Sequence, residues 1–163
     1  MLNFHDLYET YSDDVYRFAL WITGDSYEAD DITSETFVRA WARKSTIRTE
    51  TLKAYLLTIA RNVYLEKLRK EKRQIGLEDC YHDPFPGPES LIESRCEIQK
   101  IRKILQELPE IDQAAFILRI QNELPYAEIA RALGLSLAAA KVKVHRIRKK
   151  ILVYFLDKEK DQP

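Results

Sequence analysis

The sequence predicts an all-α chain with two small helical domains joined by a flexible linker, the second ending in a helix-turn-helix. Three observations carry this. Apolar residues recur at three- and four-residue steps through every long segment. Glycine is scarce, at 4 of 163 residues, while Leu, Ile, Ala, Glu, Lys and Arg abound. The run HDPFPGPES interrupts the periodicity midway, and closely spaced prolines cannot continue a helix.

A first helix is expected after Asn3 as cap, with Phe4, Leu7, Tyr8, Tyr11, Val15, Phe18, Ala19 and Ile22 facing inward and Gly24 as its stop. A second runs from about Tyr27 to Arg43, with Ile32, Thr36, Phe37, Ala40 and Trp41 on one face. A third spans about Leu52 to Arg73, with Tyr55, Leu56, Ile59 and Val63 inward. Its C-terminal half grows basic, which suits the helix dipole. Gln74 to Pro88 has no periodic apolar residues and reads as an interdomain linker. A fourth helix starts near Pro88, carries Leu91, Ile98, Ile101, Leu105 and Leu108, and ends at Pro109. A fifth covers Ile111–Ile120. The domain limits that follow are 1–75, a linker at 76–90, 91–157, and a polar tail at 158–163.

The last fifth of the chain, LPYAEIARALGLSLAAAKVKVHRIRKKI, is the most informative. Tyr126–Leu133 forms a short helix with Ala127, Ile129, Ala130 and Leu133 at helical spacing, stopped by Gly134. Ser136 stands where an N-cap belongs. The next helix has Leu137, Ala140, Val144, Ile147, Ile151 and Tyr154 as its inward stripe. Its outward side carries Lys141, Lys143, Arg146, Arg148, Lys149 and Lys150 with no acidic residue among them. Solvated helices ordinarily mix Glu with Lys. Two helices around a short Gly turn, the second purely basic, form the layout that sets a helix in a DNA major groove. A plain amphipathic helix with a solvated basic face is the competing reading.

The formal net charge is zero, yet the charges are segregated. Asp25, Glu28, Asp30, Asp31 and Glu35 crowd one acidic segment, and Glu78, Asp79, Asp83, Glu89 and Glu93 another. Positive charge gathers in Arg61–Arg73 and Lys141–Lys150. Two basic patches between acidic stretches point to two DNA contacts and surfaces for other partners. Cys80 and Cys96 lie without a CxxC and short of four ligands at metal spacing, so no metal is expected and both read as free thiols. No His–carboxylate pairing or phosphate loop points to an enzyme or to a small-molecule substrate, and no cofactor is expected. No apolar run approaches the roughly 20 residues of a membrane span. The first residues lack the basic and apolar regions of a secretion signal, so a cytoplasmic protein without membrane insertion is expected.

Together the segments DDVYRFALWITGDSYEADDITSETFVRAW, LKAYLLTIARNVYLEKLRKEKR, LPEIDQAAFILRIQNELPYAEIARALGLS and KVKVHRIRKKI resemble the extracytoplasmic-function (ECF) sigma factors of bacterial RNA polymerase. The resemblance implies a transcription initiation factor that binds core RNA polymerase and promoter DNA and is restrained by an anti-sigma factor. The first three helices resemble sigma region 2, which docks on polymerase and opens the −10 element. Ala29–Trp41 would be the docking helix, with Asp30, Asp31, Glu35, Phe37 and Arg39 as contacts. Lys44–Thr51 would form a pocket for an extruded base. Arg61, Asn62, Lys67, Arg69, Lys70 and Arg73 would track the melted strand.

The C-terminal domain resembles region 4, which reads the −35 element as duplex. Ser136, Ala139, Val142, Lys143, Arg146 and Lys150 would face outward. Arg148 and Lys149 would hold phosphates. The chain departs from the family pattern at Tyr55, where many members carry Trp, and at Ser34, where Gln is common. It departs again at Ala139–Ala140–Lys141, where Thr-Val-Lys is frequent and a hydroxyl near the DNA backbone is lost. A stand-alone helix-turn-helix regulator explains the C-terminal half equally well, but not a basic third helix followed by a linker. An adaptor that binds only protein is the third alternative.

Overall fold

A computed structural model describes residues 3–46, 51–73 and 92–160 of the chain. Seven α-helices and one 3-10 turn account for them, with no strand among the described residues. The all-α expectation holds. By contact the chain divides into two units, Met1–Pro86 and Gly87–Pro163. The expected linker, at 76–90 and within Gln74–Pro88, lies outside the described residues.

The first unit packs three helices, α1 (Phe4–Thr23), α2 (Ser26–Ala42) and α3 (Leu52–Arg73), each against the other two. The side chain of Asn3 caps α1, accepting from the His5 N–H at 3.1 Å. Gly24, at φ 73°, ends α1 in the left-handed conformation that a side chain would resist, and its N–H donates to the Leu20 carbonyl at 2.8 Å. Asp25 follows at once as the cap of α2, its Oδ1 accepting from the Tyr27 N–H at 2.8 Å. A two-residue turn thus reverses the chain. Val15, Phe18, Ala19, Ala29, Ile32, Phe37, Ala40, Leu56, Leu57 and Ala60 are buried, and the alanines let the helices approach closely.

Phe4 and Tyr8 depart from the inward expectation, being exposed at the start of α1. Their rings nevertheless pack edge-on, Phe4 against Trp41 at 5.4 Å and Tyr8 against Phe37 at 5.0 Å.

The second unit comprises α4 (Ile92–Gln106), α5 (Glu110–Ile120), α6 (Tyr126–Leu133) and α7 (Leu137–Lys160). Helix α4 ends at Gln106, three residues before the expected Pro109, and Pro109 instead opens α5. Helices α5, α6 and α7 pack mutually around Ile117, Leu118, Leu124, Ile129, Ala140 and Val144. Gly134, at φ 67°, ends α6, and the Leu135 N–H donates back to the Ala130 carbonyl at 2.8 Å. Ser136 then caps α7, its Oγ accepting from the Ala139 N–H at 3.1 Å. Two predicted inward residues sit outside the core. Ala127 is exposed, and Leu137, the first residue of α7, is 47% exposed.

Candidate functional site

Helix α2 turns two faces to different tasks. Ala29, Ile32, Thr33, Thr36, Phe37 and Ala40 face the core. Thr33 and Thr36 satisfy their buried hydroxyls by donating to the carbonyls of Ala29 and Ile32. Tyr27, Asp30, Asp31, Ser34 and Val38 stand exposed, at helical spacing, along the opposite side. Of the five predicted docking residues, Asp30 and Asp31 are on this stripe. Phe37 is not: at 1% exposure its ring fills the core and is out of reach of a partner.

Arg39 and Glu35 are committed inside the unit. The Arg39 guanidinium donates two hydrogen bonds to Glu66 on α3, at 3.0 and 2.7 Å, and a third to Glu35 at 2.8 Å. These bonds, Glu66 first, hold Arg39 charged well above its ordinary range, and the Glu66 carboxyl is held below its own. Farther along the same seam Lys67 approaches Asp31 at 3.5 Å. Predicted docking residues and predicted DNA residues therefore meet along one α2–α3 edge. Sequence spacing within a single helix carries no sign of that pairing.

On α3 the predicted strand-tracking residues divide by exposure. Asn62, Arg69 and Lys70 are exposed, while Arg61 and Lys67 are half-buried. The side chain of Arg73 and residues 47–50 of the predicted base pocket lie outside the described residues. Arg39, Arg43, Asn62, Glu66 and Arg69, over a floor of Ile59 and Leu65, line a recess of about 300 Å³ between α2 and α3. With Arg39 tied to Glu66, the Arg43 and Arg69 guanidinium groups and the Asn62 amide are the groups at this recess suited to a phosphate-bearing strand.

In the second unit, Ser136 at the cap of α7 and Val142, Arg146, Arg148, Lys149 and Lys150 on it are exposed as predicted. Ala139 is half-buried. Lys143 differs most. Its ammonium pairs with Asp112 on α5, with both side chains largely covered, so it braces α7 against α5.

Three residues outside the predicted set stand beside Val142 and Arg146. Lys141 and His145 flank Val142, and Tyr126, in the first turn of α6, closes a recess of about 420 Å³ with them and Arg146. The Arg119 guanidinium stacks on the Tyr126 ring at 4.3 Å. Lys141 and His145 were legible as outward positions, away from the apolar stripe. Tyr126 lies on another helix and was not.

Among the described residues no group of three His, Cys, Asp or Glu is placed to hold a metal, and no helix is long and apolar enough to cross a membrane. Cys96 is exposed as a free thiol, and Cys80 lies outside the described residues.

These features define a two-unit helical protein whose second unit is a DNA-binding helix-turn-helix. Comparison with known proteins narrows the class. Residues 7–74 match Sigma-70 region 2, and residues 98–151 match Sigma-70 region 4. The chain is 28% identical over 151 residues to the ECF RNA polymerase sigma factor SigM of Bacillus subtilis, covering 90% of this chain and 91% of that one. It is 28% identical over 160 residues to the ECF RNA polymerase sigma factor SigE of Mycolicibacterium smegmatis, covering 94% of this chain but 62% of that longer protein. The fold is similar to that of the sigma factor RpoE of Bartonella quintana, solved in complex with the anti-sigma factor NepR. There the TM-score is 0.71 at 24% identity, over 91% of this chain and 93% of that one.

The chain belongs to the ECF RNA polymerase sigma factors and is a transcription initiation factor. Region 2 accounts for the first unit, which a stand-alone regulator leaves unexplained.

Proposed function

We propose a division of labour between the two units. The exposed stripe of α2, Tyr27, Asp30, Asp31, Ser34 and Val38, docks on core RNA polymerase. It pairs two carboxylates with two apolar side chains, a composition suited to a basic partner surface with an apolar centre. Asn62, Arg69, Lys70 and Arg73 on α3, with the segment Lys44–Thr51, hold the melted −10 strand. Helix α7 reads the −35 duplex through Ser136, Lys141, Val142, His145 and Arg146, while Arg148 and Lys149 hold phosphates. Lys143, Arg39 and Glu35 serve as internal braces in this reading. An anti-sigma factor is the restraining partner, by analogy with the bound state of the Bartonella neighbour. No catalytic residue, cofactor or small-molecule substrate enters.

The observation that carries this reading is the single-signed exposed face of α7 from Lys141 to Lys150, beside the helix-turn-helix turn. Run-off transcription with purified core polymerase on a pool of promoter fragments tests it. A product that depends on this chain and is lost in Asp31→Arg, with −35 binding intact, is the expected result. Full transcription by Asp31→Arg would remove α2 as the docking surface.

A further inference from the structure

Val142 is out of place on its helix. It is 43% exposed at the middle of the outward face of α7, among Lys141, His145, Arg146 and Lys149. An apolar side chain there gains nothing from the phosphates that its charged neighbours suit. It also forms part of the floor of the Tyr126 recess, whose lining is mostly apolar. Tyr126 is held at the wall of that recess by Arg119 stacked on its ring.

In the major groove the four base edges differ, and only thymine presents a methyl group. Adenine, guanine and cytosine present donors and acceptors that an apolar floor leaves unpaired. An apolar floor between Tyr126 and His145, rimmed by cations that draw the duplex in, is complementary to a thymine methyl.

We infer that Val142, in the recess it forms with Tyr126 and His145, reads the 5-methyl group of one thymine of the −35 element. The inference rests on the proposed reading of α7 as the −35 helix and names the base and contact that reading leaves open. Burying one methyl group is worth about a three- to four-fold change in affinity.

The test uses the full chain bound to core polymerase and a promoter duplex recovered from the run-off pool. Each −35 thymine, on either strand, is replaced in turn by deoxyuridine, which removes the methyl and nothing else. The expected result is a three- to four-fold loss of affinity at one thymine. Val142→Ala should weaken the unmodified duplex and make it insensitive to that replacement, while its far-UV circular dichroism and melting match the parent chain. Loss on −35 transversion but no loss at any deoxyuridine would overturn the methyl reading and leave α7 as the −35 helix. A deoxyuridine effect that persists unchanged in Val142→Ala would also overturn it, by placing the methyl against another residue. Indifference to −35 transversions would overturn the parent reading, and this inference with it.

Discussion

Lys143 stands in the middle of a basic helix, yet its partner is protein. Replacing it with methionine keeps most of the aliphatic stem and removes the charge. The pair with Asp112 is about one-quarter exposed at both side chains, 28% and 22%, so solvent screens it only in part. A charge-assisted bond of that kind is worth about 1–2 kcal/mol net, less than its Coulomb energy because both groups give up water and side-chain freedom. In a unit of this size that shifts the melting temperature by roughly 4–8 °C for each kcal/mol.

A phosphate contact behaves differently, since each one adds about 0.9 to the slope of log affinity against log salt. Lys143→Met should therefore lower the melting temperature and leave the salt slope on duplex DNA unchanged. Lys149→Ala should do the reverse, lowering the slope by about 0.9 with stability intact. Asp112→Asn should reproduce the stability loss, and the double variant should lose no more than either single change. Calorimetry and equilibrium binding from about 50 to 200 mM salt give both readouts. A slope loss near 0.9 in Lys143→Met with unchanged melting would refute the brace.

Two further outcomes follow from the geometry. Glu66 is held below its ordinary range by Arg39, so its stabilising share is present above the unfolded carboxylate pKa and lost as pH falls through the lowered folded value. Both side chains are more than one-third exposed, so Glu66→Gln should cost only about 0.2–1 kcal/mol at neutral pH and almost nothing in strong acid. Urea titrations across that range report it, and a cost independent of pH would contradict the pairing. Gly134 sits at φ 67° with no atom within 4 Å of where a Cβ would stand, so Gly134→Ala meets strain without a clash. It should destabilise by about 1–2 kcal/mol, and Gly134→Asn by less, since Asn tolerates the left-handed region. Equal melting of Ala and Asn variants would count against that account.

Much of the fold could be read from the chain because its signals are local. Three- and four-residue periodicity with Gly24 and Gly134 placed α1, α3 and α6 to the residue or nearly so. The site was less legible. Outward positions on α7 follow from its apolar stripe, but whether an outward cation meets DNA or a neighbouring helix depends on packing. The pairings of Lys143 and Arg39 could not be read for that reason, because Asp112 and Glu66 lie 31 and 27 residues away. Phe37 shows the opposite error, since the same periodicity that marked it as inward rules it out as a docking contact. Tyr27 and Val38 fell outside the docking set, although the helical period turns them outward with Asp30 and Asp31.

In the proposed division of labour α3 serves strand opening while α2 and α7 serve docking and −35 binding. Permanganate footprinting of unpaired thymines on a duplex promoter tests it most directly, using polymerase loaded with Arg69→Glu, Lys70→Glu. Both side chains are exposed, so the fold should survive the change. Polymerase binding and −35 protection should stay normal and no thymine at the −10 element should react, with activity restored on a pre-melted template. Normal opening of the duplex by this variant would contradict that division of labour.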